Sequence, residues 1–123
     1  MLASSIGWIL VASGAITAAG GPPALLFPQS FLQLTFGVKN SEGLTVFFVR
    51  HWGVLVFVIG ALIIYSARDP AVRAPVLAAA AIEKFAVVVL TFFGPVRRTI
   101  GMTAIAITDG VVAILYVAYL AGL

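Results

Sequence analysis

The sequence has no cysteine, a single histidine and very few charged residues, with Asp, Glu, Lys and Arg making up 9% of the chain. The absence of cysteine excludes disulfides, thiol redox chemistry and thiolate metal sites. One histidine is too few for a His-rich metal site, so we predict no metal and no cofactor. What the chain does contain is apolar sequence, since 63% of its 123 residues are hydrophobic. A soluble domain of this length has too little interior to bury them, and the expected surroundings are a lipid bilayer.

The basic residues do not indicate a nucleic-acid partner. The net charge is +3 and the isoelectric point is near 9.8. The seven Lys and Arg residues are scattered singly or in pairs among predicted loops and helix ends. They form no basic stripe with aromatic residues beside it, which is the pattern that nucleic-acid binding favours. We therefore expect no nucleic-acid binding.

Four apolar runs predict an all-α fold, a single transmembrane domain over residues 1–123 in which four helices form an antiparallel bundle. Each run approaches the roughly 20 residues that a bilayer crossing needs. No Lys or Arg precedes the first run, which favours a retained helix over a cleaved signal peptide. The predicted helices cover approximately residues 2–19, 44–66, 71–93 and 99–120.

A further apolar stretch, approximately residues 24–38, is too short to span a bilayer and is interrupted by Pro28. We predict that it forms an interfacial or re-entrant segment after the first helix. The preceding Gly20 to Pro23, which reads GGPP, is expected to end the first helix because glycine favours turns and proline lacks an amide donor.

Five ionisable residues lie inside the predicted helices. They are candidates for a ligand- or proton-binding site: Arg50, His51, Glu83, Lys84 and Asp109. A charged side chain at the centre of a membrane helix costs roughly 2.5–3.5 kcal/mol, so such residues usually face a bundle interior. With a rise of about 1.5 Å per residue, both carboxylates fall roughly 15 Å below one membrane face, and Arg50 and His51 fall roughly 9–10 Å below it. We expect the five to line one small polar cavity.

Each residue also has a structural explanation. Arg50 would clamp two helices together by pairing with Glu83 or Asp109. Lys84 would extend along its helix towards water, and His51 would be a buried imidazole with its hydrogen bonds satisfied. Three functions therefore remain open: a site that binds or conducts a small solute, ion or proton; an accessory or scaffold subunit; and an enzyme acting on a lipid-soluble substrate. No nucleophile, phosphate-loop or dinucleotide motif supports the enzyme, and we predict no catalytic residues.

Three short motifs resemble the small bacterial four-helix membrane proteins grouped as DoxX-like. The motifs are RHWG from Arg50, IEKF from Ile82 and TDG from Thr108, and they lie in the second, third and fourth helices. The resemblance implies a four-helix, multi-pass protein of the bacterial inner membrane. The family's biochemical role is unassigned, so the resemblance implies no catalytic residue.

The loops do not orient the chain in a membrane. One face carries Lys39, Arg97 and Arg98, and the other carries Arg68, Arg73 and the terminal amine. Because the two faces carry nearly equal numbers of basic groups, the positive-inside rule predicts no preferred orientation, and insertion in both directions is permitted. Small-residue faces on short helices lead us to expect a homo-oligomer or a larger membrane partner.

Overall fold

The computed structural model describes residues 2–123, and every described secondary-structure element is helical. The elements, in chain order, are α1 (Leu2–Ala19), α2 (Gly21–Leu26), α3 (Pro28–Phe36), α4 (Gly43–Arg68), a 3-10 turn at Pro70–Val72, α5 (Arg73–Phe93) and α6 (Ile100–Leu120). The predicted all-α class is confirmed. So is the number of long apolar helices, because four segments are long and apolar enough to cross a membrane.

The first of these segments is longer than the sequence predicts. Gly20 keeps a right-handed helical backbone, and α2 continues directly, so that Leu2–Leu26 forms one candidate span of 25 residues. α1 does end at Ala19, the predicted bound, but the GGPP sequence does not end the apolar helical segment, because α2 continues it. The two prolines occupy the first turn of α2, where amide groups have no intrahelical acceptor and proline is tolerated.

The first and second spans touch along glycines. A Cβ added at Gly60 on α4 would lie 2.6 Å from the Gly14 carbonyl oxygen and 2.6 Å from Ala18 Cβ. One added at Gly53 would lie 2.7 Å from the Gly21 carbonyl oxygen. Residue numbers rise along one helix as they fall along the other, so the two helices are antiparallel. Close backbone approach through small residues is a principal means of helix association in lipid.

The second half of the bundle is the antiparallel pair α5 and α6, which packs against α1 and α4. At the end near the chain termini, Arg73 caps α4: its Nε and Nη2 donate to the carbonyl oxygens of Ser66 and Ala67, each at 2.7 Å. These are carbonyls that a helix end leaves without intrahelical partners. The short turn between α4 and α5 is therefore fixed by its own side chains.

At the opposite end, α3 lies against α4 and α6. The Phe31 ring packs on the Trp52 ring of α4 with centroids 5.3 Å apart, and the Thr99 hydroxyl at the start of α6 donates to the Thr35 carbonyl. Gly37 ends α3 in the left-handed conformation, at φ 69°, which glycine adopts without steric cost. Part of the predicted segment 24–38 is thus α3, while residues 24–26 belong to α2.

The outer surface of the helices is apolar. Large hydrophobic side chains are strongly exposed on every span, including Trp8, Phe47, Ile82 and Ile107. A water-facing surface of this kind would promote aggregation, whereas acyl chains solvate it well. Lengths, composition and surface agree with a small multi-pass membrane protein.

Candidate functional site

A buried ion pair joins the midpoints of α5 and α6. Lys84 Nζ lies 3.0 Å from Asp109 Oδ1, with side-chain exposures of 2% and 18%. It is the one salt bridge that the structure contains within residues 2–123. Lys84 is the twelfth of 21 residues in α5 and Asp109 the tenth of 21 in α6, so the pair lies near the centre of both helices.

A third helix supplies a second acceptor for the ammonium group. Lys84 Nζ also donates to Thr17 Oγ1 of α1 at 2.9 Å, and that hydroxyl donates in turn to the Ser13 carbonyl at 2.9 Å. The Ser13 hydroxyl lies 2.6 Å from the Tyr116 hydroxyl on α6. Polar side chains of α1 and α6 thus continue from the ion pair towards the end of the bundle that carries the chain termini.

The pair forms part of the wall of a cleft of about 250 Å³. We call this the charged cleft. It is partly open, and five helices contribute side chains to it. Its charged lining residues are Glu83, Lys84 and Asp109, and its other principal lining residues are Thr17, Phe31, Trp52, Val56, Ile105 and Thr108.

Glu83 differs from its two charged neighbours because it has neither a hydrogen bond nor a salt bridge within residues 2–123. It is half-buried in the wall of the cleft, one residue before Lys84. Since Asp109 already neutralises Lys84, the cleft with both carboxylates ionised carries one negative charge in excess. A site of this sign favours a cation or a proton over an anion.

Arg50 and His51 do not belong to this site, and the expectation that Arg50 pairs with a carboxylate is wrong. Both side chains are exposed and line a separate shallow depression on the outside of α4. His51 stacks on Phe47, with ring centroids 6.5 Å apart. The reason is angular: Arg50 lies two residues, or about 200° around the helix, from Trp52, which lines the charged cleft together with Val56.

Three further polar partners in the interior were not predicted from the sequence: Ser13, Thr17 and Tyr116. Ser13 and Thr17 are four residues apart on α1, which places both hydroxyls on one helix face. Small residues at this spacing also form packing faces between helices. Packing does explain the neighbouring Gly14 and Ala18, but the hydroxyls face the other way, towards α5 and α6. The signal available in the sequence was a pair of hydroxyl side chains on one face of the first helix, together with a lysine inside another membrane-length helix.

A second cavity adjoins the charged cleft beneath α3. It has a volume of about 430 Å³ and no charged residue in its lining. We call it the apolar cavity. Trp52 and Ile105 line both spaces. The residues that line it alone come mainly from α3, α5 and the start of α6, and include Leu32, Phe36, Val87, Leu90, Thr91 and Met102.

No family model matches the chain, and no curated protein or solved structure gives a significant match. The DoxX-like resemblance therefore stays a prediction. Within residues 2–123 there is also no group of three His, Cys, Asp or Glu side chains placed to hold a metal ion. The chemistry available to the site is that of two carboxylates, one ammonium, two hydroxyls and two aromatic rings.

Proposed function

We propose that this small multi-pass membrane protein binds a small monovalent cation in the charged cleft, in exchange with a proton. The observation that carries the proposal is the unpaired carboxylate of Glu83 beside a neutral Lys84–Asp109 pair. An ionisable group inside a membrane bundle is costly, and such groups commonly mark ion, proton or substrate pathways. A proton on Glu83 would remove the excess charge and so release the cation.

The ion pair has a different task under this proposal. Lys84 is almost completely buried and connects α5 to α6 through Asp109 and to α1 through Thr17. Removing one partner would leave a buried charge without compensation. We infer that the pair holds three helices in the register that forms the cleft, while Glu83 carries the binding.

The alternative function is an accessory or scaffold subunit, in which all three charges are structural. The two acceptors that Lys84 Nζ has on neighbouring helices, Asp109 Oδ1 and Thr17 Oγ1, favour it. On this account the exposed apolar faces pack against a second copy of the chain or a larger membrane partner, and the cleft binds nothing. The two proposals differ in what they require of Glu83, since a scaffold needs no free carboxylate in the cleft.

Glu83→Gln separates the two functions. The substitution keeps the shape of the side chain and removes its charge, and Glu83 has no hydrogen bond or salt bridge to lose within residues 2–123. We expect binding of tetramethylammonium to purified protein, followed by isothermal titration calorimetry, to weaken at least about tenfold, which corresponds to about 1.4 kcal/mol. The free energy of unfolding should change by no more than about 0.5 kcal/mol.

The matched control is Glu42→Gln, which removes the same charge from an exposed loop carboxylate just before α4. It should leave tetramethylammonium affinity unchanged. Equal affinity in the Glu83→Gln variant and the wild type, or no binding to either, would contradict the cation site and favour the scaffold.

A further inference from the structure

We propose, on the basis of the cation site above, that the ligand is an amphipathic organic cation. Its charged group would occupy the charged cleft, and its apolar part would extend into the apolar cavity. The relative arrangement of the two cavities indicates this class of ligand.

The two cavities share two wall residues. Trp52 of α4 and Ile105 of α6 each line both spaces. Three charged side chains line one cavity and none lines the other. A molecule that reaches across the boundary at Trp52 therefore meets carboxylates at one end and hydrocarbon at the other. An inorganic cation or a proton would use the first space and leave the second without a role.

The aromatic side chains of the charged cleft favour an organic cation. Phe31 and Trp52 pack against each other and both line the charged cleft, together with Glu83 and Asp109. Aromatic faces attract alkylammonium groups through cation–π interaction, most strongly with tryptophan and where water is excluded. A carboxylate beside aromatic rings is thus complementary to an amine or quaternary ammonium group with carbon substituents.

The apolar cavity is large enough to add affinity. Its volume of about 430 Å³ exceeds that of the charged cleft, and Leu32, Val87 and Met102 present hydrocarbon to it. Burying one methylene group is worth about 0.8 kcal/mol, or about fourfold in affinity. The unpaired carboxylate next to it decides the charge of the ligand: an anionic amphiphile would meet Glu83, and a neutral one would leave its charge uncompensated.

The test compares tetramethylammonium with hexyltrimethylammonium, which differ only in the length of one alkyl chain. Both are titrated into wild-type protein and into Val87→Phe, in which a larger side chain fills the apolar cavity. The matched control is Val89→Phe, two residues along α5 at an exposed position that lines neither cavity. Hexyltrimethylammonium also partitions into detergent micelles. All variants are therefore measured in one detergent, so that this partitioning affects every variant equally.

We expect wild type and Val89→Phe to bind hexyltrimethylammonium at least about tenfold more tightly than tetramethylammonium. Val87→Phe should lose that preference and bind both probes alike. Should Val87→Phe fail to fold, Val96→Trp enlarges an exposed side chain that lines the same cavity from the loop after α5.

The outcomes separate the two proposals. If tetramethylammonium does not bind the wild type, the cation site itself is wrong. If it binds but the hexyl chain adds nothing, or if Val87→Phe and Val89→Phe behave alike, the cation site stands and the amphipathic ligand is overturned. The apolar cavity would then be a space for a lipid acyl chain.

Discussion

Two groups of charged residues lie within the membrane-length helices, and the structure treats them in opposite ways. Arg50 and His51 of α4 are exposed on the outside of the bundle, whereas Lys84 and Asp109 form a buried pair at its centre. Both groups looked equivalent in the sequence, as ionisable residues inside apolar runs. Depth along a helix does not decide whether a charge is internal; the face of the helix does.

The largest expected effect comes from breaking the internal pair. Asp109→Asn leaves Lys84 buried without its counter-charge and should lower the free energy of unfolding by about 3–5 kcal/mol. Arg50→Gln breaks no ion pair within residues 2–123 and leaves no buried charge uncompensated, so it should not lower the free energy of unfolding. Unfolding by SDS titration, followed by circular dichroism, measures both. Equal losses of unfolding free energy in Asp109→Asn and Arg50→Gln would contradict the difference between the buried pair and the exposed group.

Replacing both members of the pair should be milder than removing one. In a Lys84→Met, Asp109→Leu double variant no buried charge is left uncompensated, and exchanging buried ion pairs for apolar residues is often neutral or stabilising by about 1–4 kcal/mol. We expect the double variant to recover most of the stability that Asp109→Asn loses. The same SDS titration checks this. A double variant as unstable as Asp109→Asn would contradict the explanation that the uncompensated charge of Lys84 causes the loss of stability.

The pH dependence of tetramethylammonium affinity is expected to distinguish the charged cleft from the exposed Arg50 and His51 by a smaller effect. A proton competes with the cation for Glu83, so tetramethylammonium affinity should be highest at high pH. It should fall as Glu83 protonates, by at most about tenfold per pH unit. The titratable groups of the cleft are Glu83, Lys84 and Asp109, with Tyr116 farther along α6, and α1, α3 and α4 add none within the described residues.

The control for this titration is His51→Gln, which should leave the pH profile of cation affinity unchanged because His51 lies outside the charged cleft. Calorimetric titrations at a series of pH values measure both proteins. A profile that His51→Gln flattens would place the proton-sensitive group on α4 and reverse the roles of the two clusters.

The sequence predicts the helices better than it predicts the site. Apolar runs and their lengths indicate the four candidate spans, because lipid requires continuous backbone hydrogen bonding over about 20 residues. Gly53 and Gly60 are seven residues apart, which places them on one helix face, and both are buried against the first span. Such features depend on local periodicity alone.

The site depends on how each helix is rotated about its own axis relative to its neighbours. The spacing of apolar residues along the sequence does not determine that rotation. Glu83, Lys84 and Asp109 do line one cleft, but the predicted partner of the carboxylates was Arg50 rather than Lys84. Depth estimates made all five residues look adjacent. The role of Thr17 was missed because a hydroxyl in a small-residue stripe resembles packing until the opposite helix is known.

Water access to the charged cleft is the most direct test of the account. Because the chain contains no cysteine, single-cysteine variants need no altered background. Thr108→Cys places a thiol in the cleft, and Ile107→Cys places one beside it on an exposed apolar face that lines none of the cavities described above. The probe is a quaternary-ammonium methanethiosulfonate reagent, which reacts with the thiolate and so requires water at the thiol. In liposomes, mass spectrometry should show rapid modification of Thr108→Cys, slowed by tetramethylammonium, and none of Ile107→Cys. Equal reactivity at both positions, or none at Thr108→Cys, would show that the cleft faces lipid and would contradict an internal cation site.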